Sequence, residues 1–287
     1  MPSSHFSKIV VLQSLPPGEM QTGKRLCEDV EMLNLFHERG LNISFNDAPT
    51  KLKFLACLRK LQQEASLGTW PLLHIECHGA NDKTGIVLAD DSFLGWLELK
   101  PYLTAINVAT QCNLMIVLGS CYGGYLGQII LPTDRAPCWG LIGPTDEVFP
   151  NELISSFSGF YAELLSSLDG DNSLKALLSA PLKTGGYYFT TAGGFFKLAY
   201  AKYLLHYCTP PELDKRARAM SRQLKKAGTP IRPSKGALKR LLSRTEGPSY
   251  EKHFQQFFMI DLYPENRGRF SLSLAEVKEF QKALTLS

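Results

Sequence analysis

No two of the seven cysteines stand in a C-x-x-C pair, so neither a zinc ribbon nor a thioredoxin-type redox motif is encoded. No stretch approaches the roughly 20 consecutive apolar residues that a membrane-crossing helix needs. The opening run MPSSHFSKIVVLQSLPPG has no basic flank and no A-x-A-like site, so its apolar core is expected to be a strand rather than a secretory leader. No GK[ST] follows any glycine-rich turn, which excludes a Walker-type nucleotide hydrolase, and no repeat recurs at a period of 20–50 residues. An odd number of scattered cysteines fits reduced thiols, and a cytoplasmic protein is expected.

What is present is an ordinary globular composition, 44% hydrophobic and 20% charged over 287 residues, enough for one large α/β domain with an appendage. The net charge of +4 conceals a split. Residues 212–244 hold eleven Lys/Arg against Glu212 and Asp214, a local +9, which leaves −5 for the remainder.

Short aliphatic runs alternate with helical periodicity over the first 145 residues. Strands are expected at 9–15, 43–45, 71–77, 113–120 and 138–143, with a hairpin at 86–96. Helices are expected at 22–39, 52–65, 98–109 and, after Gly123-Gly124, up to Leu131. That pattern predicts a mostly parallel sheet covered on both faces. Beyond Pro150 the periodicity turns helical, at 150–168, 172–180, 192–207, 212–228, 248–259 and 272–284, with an aromatic strand at Tyr187-Tyr188-Phe189. A division into a core at 1–150 and a helical part at 151–287 follows, with residues 228–248 expected to form a mobile loop.

His78 closes one buried strand and Cys121 the next. Carboxyl-terminal strand ends of a parallel sheet open on one edge, where ligands bind, so two residues 43 apart in sequence can meet. An imidazole beside a thiol raises the thiolate fraction and can later protonate a leaving amine. Gly79 and Gly123-Gly124 let a substrate backbone approach, and main-chain N–H groups near them can face an oxyanion. A single cysteine closing an apolar strand is usually inert, as is expected for Cys77 and Cys112, and a single histidine is usually structural. The pairing at consecutive strand ends is what selects His78 and Cys121.

HIECHGA at 74–80 and MIVLGSCYGG at 115–124 resemble the His-Gly and Cys blocks of the caspase-like peptidases, over about residues 6–150. The resemblance implies a caspase-haemoglobinase fold, peptide-bond hydrolysis, His78 as acid/base, Cys121 as nucleophile, and the Gly79 and Cys121 N–H groups as oxyanion hole. The blocks look closest to the bacterial CHAT-like branch, which implies a regulated defence or cell-death effector. Gly-Ser rather than Gln-Ala precedes Cys121, and Gly119 stands where metacaspases carry an acid, so no P1 preference is inherited.

Asp146 and Glu147, after the fifth strand, fall on the same sheet edge and are candidates to face an Arg or Lys at P1, unless Asp146 merely caps the next helix. Asp90-Asp91 is expected to serve a turn. In the basic segment, Arg218, Arg222 and Lys225 recur on one helix side. They suit a solvated face or a pocket for a phosphorylated, nucleotide-derived activator, with the T-T-A-G-G turn at 190–194 as a further phosphate contact. Nucleic acid is not expected, since aromatics are not interleaved. A protein substrate, no metal, no cofactor and no membrane are expected.

Two alternatives remain. G-S-C-Y-G also fits the elbow of an α/β-hydrolase with a cysteine nucleophile, whose base would be His206 or His253. A caspase-fold scaffold without activity would keep the same residues.

Overall fold

The computed structural model describes residues 5–180, 182–228, 233–244 and 246–285, which form two compact units. The first comprises residues up to Ile130 together with Ala136–Ala192. Its strands are β1 (Lys8–Ser14), β2 (Asn42–Asp47), β3 (Pro71–Gly79), β4 (Gly85–Val87), β5 (Phe93–Gly95), β6 (Met115–Gly119), β7 (Gly140–Pro144) and β8 (Tyr187–Thr191). The main sheet runs β2-β1-β3-β6-β7-β8, parallel throughout except for β8, and the β4–β5 hairpin extends the end of β3. The α/β class with a mostly parallel sheet is therefore as expected.

The helices are α1 (Thr22–Phe36), α2 (Lys51–Ser66), α3 (Trp96–Ala109), α4 (Pro150–Ser167) and α5 (Gly170–Ser179). Strand side chains alternate between faces. Ile9, Leu72, Met115, Val117 and Ile142 pack with Leu26 and Val30 of α1 and with Phe157 and Phe160 of α4 in one core cluster. The intervening residues Val10, Leu73, Ile75, Ile116, Leu118 and Leu141 are also buried, which is why these strands read as unbroken apolar runs. Helix starts follow local chemistry: the Thr50 hydroxyl accepts the Lys53 N–H at α2, and Asp169 accepts two N–H groups at α5.

The boundary expected at 150 lies instead at 192. Helix α4 buries one sheet face, and β8 adds to β7 with Gly140 opposite Thr191, so the segment 150–192 cannot part from the sheet without exposing that core. The helix expected after Cys121 is present as a 3-10 helix, Gly123–Ile129. Asp90 takes the N–H and hydroxyl of Ser92, the expected turn role.

The second unit comprises Leu131–Arg135 and residues from Gly193 onward. It contains α6 (Ala192–Tyr207, all but its first residue), α7 (Pro210–Lys226), α8 (Lys235–Arg244), α9 (Glu246–Phe257), α10 (Asn266–Arg269) and α11 (Leu274–Leu284). Phe196 of α6 is ringed by Tyr250, Phe254, Phe257 and Phe258 at centroid distances of 5.1–5.6 Å. Arg135 forms a two-pronged pair with Asp261, both bonds 2.7 Å. Much of the stretch expected to be a mobile loop, 228–248, is helix α8 and the start of α9, since Leu238 is buried there; residues 229–232 and 245 lie outside the described set.

Candidate active site

Strands β3 and β6 pair from Leu72 with Met115 to Glu76 with Gly119, a constant offset of 43 residues. His78 and Cys121 stand at the same offset, two residues beyond the last pair, His78 on the end of β3 and Cys121 in the turn after β6. The contact is close. A Cβ placed on Gly79 would lie 1.8 Å from the Cys121 carbonyl oxygen, so only glycine permits the two strand ends to approach in this way.

His78 is exposed, with 46% of its side chain accessible, and its Nε2 lies 2.7 Å from Glu19 Oε2. Cys121 is half-buried; its sulfur accepts the Val148 N–H at 3.4 Å and lies 3.7 Å from Val148 O. The two residues stand at neighbouring strand ends, but no hydrogen bond joins the thiol to the imidazole here. Burial pushes Cys27 up to about 12, and Cys77 and Cys138 beyond the range in which a thiolate forms near neutral pH.

The turn after Cys121 is built tightly. Tyr122 takes the left-handed conformation at φ 59° and directs its N–H to Asp146 O at 3.2 Å. The Gly123 N–H is engaged by Ser120 O. A Cβ on Gly124 would meet Tyr188, and one on Gly143 would meet Gly123, so β7 closes directly against this turn. Lys83 lies over the rings of Tyr122 and Tyr125 at 4.8 and 4.9 Å.

On the other side of the thiol, Ala80 donates its N–H to Gly85 O at 3.0 Å. That makes Ala80 and Gly85 a hydrogen-bonded pair. Gly79 and Ile86 are then the non-bonded pair of the ladder, and the Gly79 N–H points away from β4.

Asp146 and Glu147 stand beside this turn. Tyr122 OH donates to Glu147 Oε1 at 3.2 Å, and burial followed by that carboxylate pushes the phenol up. Asp146 takes the Glu147 N–H at 2.9 Å and does not cap α4, whose N-cap is Phe149, with Glu152 returning to the Phe149 N–H.

A buried polar network lies beneath this edge, built on residues that the strand pattern alone does not select. Tyr161 OH and His74 Nδ1 are 3.0 Å apart, His74 Nε2 and Glu76 Oε1 2.8 Å, and Thr22 donates to Glu76 Oε2 at 2.8 Å. A carboxylate has no proton to give, so His74 donates to it through Nε2, and Nδ1 shares the second bond with the Tyr161 hydroxyl. Glu76 reaches across Gly119, where a Cβ would lie 2.4 Å from Oε1. The available signal was two ionisable residues, two apart, inside a strand apolar on both faces; such groups are buried only as partners.

In the second unit, α7 and α8 line a groove of about 1090 Å³. Lys215, Arg218, Arg222, Lys235 and Lys239 face it with one acid, Asp214. Lys235 and Lys239 bond Asp214 at 3.0 and 2.9 Å, holding its carboxyl at about 2. Arg218 and Arg222 thus lie in the groove, whereas Lys225 does not. Residues 190–194 are not a glycine turn: Thr191 ends β8 and α6 follows at once. His206 and His253 both sit on helices of this unit rather than at a strand end. His253 Nδ1 is buried with no partner among the described residues, and burial lowers its imidazole from the usual histidine value.

Among the described residues no cluster of His, Cys, Asp or Glu is placed to hold a metal ion, and no helix is long and apolar enough to cross a membrane. A scan against protein-family models finds no match to the chain, and a search of curated proteins finds none either.

Proposed function

We propose that this protein is a cysteine endopeptidase of the caspase-like type, with Cys121 as nucleophile and His78 as acid and base. The observation that carries the reading is the placement of a half-exposed thiol and an exposed imidazole at neighbouring carboxyl-terminal strand ends, with Gly79 pressed against the Cys121 backbone. Catalytic hydrogen bonds commonly tighten only when substrate is bound, so the separate partners of the two side chains are compatible with it.

The chemistry runs in two halves. The Cys121 proton passes to the His78 imidazole, and the sulfur attacks the substrate carbonyl carbon. The developing oxyanion is met by the Gly79 and Cys121 N–H groups; those of Tyr122 and Gly123 are already engaged within the turn. The C–N bond breaks as the imidazolium protonates the leaving amine. A water molecule, deprotonated by His78, then attacks the thioester, releasing the acid and restoring the thiol.

Asp146 and Glu147 supply negative charge beside the nucleophile, which favours Arg or Lys at P1. The α7–α8 groove, rich in cations, suits an anionic activator such as a nucleotide second messenger, the gating expected of a regulated defence or cell-death effector.

The test compares peptides cleaved in cells that express the wild type with those expressing Cys121→Ala or His78→Ala. Cleavage after basic residues that disappears in both variants is expected. Cleavage that survives Cys121→Ala, or is lost only on changing His206 or His253, would sink the reading. Profiles that match with and without Cys121 would leave a scaffold.

A further inference from the structure

Resting on that reading, we infer that Glu19 is the positioning carboxylate of His78, which makes the site a Cys121–His78–Glu19 arrangement rather than a dyad. Glu19 Oε2 lies 2.7 Å from His78 Nε2. A carboxylate at that distance favours the proton on Nε2, which leaves Nδ1 as the ring nitrogen with a free lone pair. Nδ1 is then the atom that takes the Cys121 proton, and the imidazolium so formed stands next to a negative charge. Glu19 keeps its own charge throughout. The proton moves from sulfur to Nδ1 and on to the leaving amine, and none is transferred to the carboxylate.

A half-exposed ion pair between two freely moving side chains contributes little, because both must be ordered to form it. Glu19 is not carried on a free segment. Its N–H donates to Pro16 O at 3.0 Å, and Gln21 Nε2 donates to Pro16 O at 2.8 Å and to Glu19 O at 3.0 Å. Gln21 is in turn held by Gln13 Nε2 at 2.6 Å, and Gln13 is 1% exposed on β1. The backbone of Glu19 is therefore braced to the strand beside β3, whose Cys77 pairs with Ser14. The Pro16-Pro17-Gly18 turn and its polar brace aim a carboxylate at the sheet edge where His78 stands.

The experiment measures Cys121 alkylation by iodoacetamide at pH 7 in the full chain, read by mass spectrometry. Wild type, His78→Ala, Glu19→Ala, Glu19→Gln and Glu19→Asp are compared, and kcat and KM are measured on a cleaved peptide. Glu19→Ala is expected to slow both alkylation and kcat on the order of tenfold to a hundredfold, a share of the ~10²–10⁴ a positioned acid–base contributes. KM and the labelling of Cys57 should stay unchanged. Glu19→Asp should recover part of the rate, and Glu19→Gln less, since the amide accepts the bond but carries no charge. Loss in His78→Ala with no loss in Glu19→Ala overturns the inference and leaves the peptidase reading intact. A Glu19→Ala effect confined to KM, or shared by Cys57 labelling, also overturns it, because a loop that merely packs would act in that way. If His78→Ala leaves alkylation unchanged, both the reading and the role of Glu19 fall together.

Discussion

Gly79 lies against Cys121 so closely that a single methyl group on its Cα would sit 1.8 Å from the Cys121 carbonyl oxygen and 2.6 Å from the carbonyl carbon. The obstacle is backbone on both sides, so no side-chain rotation relieves it. Gly79→Ala must push the β3 and β6 ends apart, at a cost of about 1–3 kcal/mol for overpacking. The same movement displaces the Gly79 N–H from the place where an oxyanion would form. On the proposed function, peptidase activity is expected to fall by at least about a hundredfold, the loss typical of one oxyanion donor. Denaturant midpoints together with kcat/KM check this; a variant of unchanged stability and full activity would show that the close approach is not required.

A second glycine makes a separable prediction. At Gly119 a Cβ would meet the Glu76 carboxylate, a side chain fixed by His74 and Thr22 and 2% exposed. Gly119→Ala therefore forces the carboxylate from its partners and is expected to destabilise the first unit strongly. Glu76→Ala leaves the buried His74 and Thr22 donors without their shared acceptor, at a cost of about 1–3 kcal/mol for each unsatisfied group. The double variant should cost less than the sum of the two, because the alanine methyl then has no carboxylate to displace. Strict additivity in chemical denaturation would refute the contact.

Much of this edge was legible beforehand because it is local in the right sense. The offset of 43 residues between the β3 and β6 registers equals the spacing of His78 and Cys121, and each residue follows an apolar run whose end can be read directly. Glu19 was not legible. Its link to His78 spans 59 residues of chain and depends on a turn braced by Gln13 and Gln21, which no periodicity records. His74 and Glu76 left a signal, as polar residues alternating within a buried strand, but their partners Tyr161 and Thr22 come from distant helices. The unit boundary was misplaced for a similar reason. Strand β8 joins β7 in antiparallel fashion only after two intervening helices, and its aromatic run gives no sign of its neighbour.

His253 gives the second unit a pH dependence whose sign can be worked out. Burial, reinforced by Lys252, lowers its pKa below the ordinary 6.5, so the folded unit favours the neutral ring and the unfolded chain binds the proton more readily. The associated stability is fully present above pH ~6.5 and is lost as pH falls through the depressed folded value. Melting followed at pH 7.5 and pH 5 should show acid destabilisation of the α6–α9 aromatic cluster, and His253→Leu should flatten that slope. A slope unchanged by His253→Leu would assign it to other groups.

The groove between α7 and α8 contains its own control. Asp214, Arg218 and Arg222 recur every four residues along α7, and Asp214 is matched by Lys235 and Lys239. Arg218 and Arg222 are exposed and, among the described residues, have no comparable carboxylate, while Lys225 lies outside the groove. Each charge-assisted bond to a phosphate contributes about 1.5–3 kcal/mol, so losing one arginine corresponds to at least about a tenfold weakening. Titration with tripolyphosphate and with cyclic dinucleotides should show binding that weakens as salt is raised. Arg218→Gln and Arg222→Gln should each lose it by that factor, and Lys225→Gln should leave it nearly intact. Equal losses from all three variants would mean that the helix attracts anions by its overall charge and that the groove recognises nothing. Tighter binding of duplex DNA than of either small anion would instead make the basic segment a nucleic-acid surface, contrary to the expectation from its lack of interleaved aromatics.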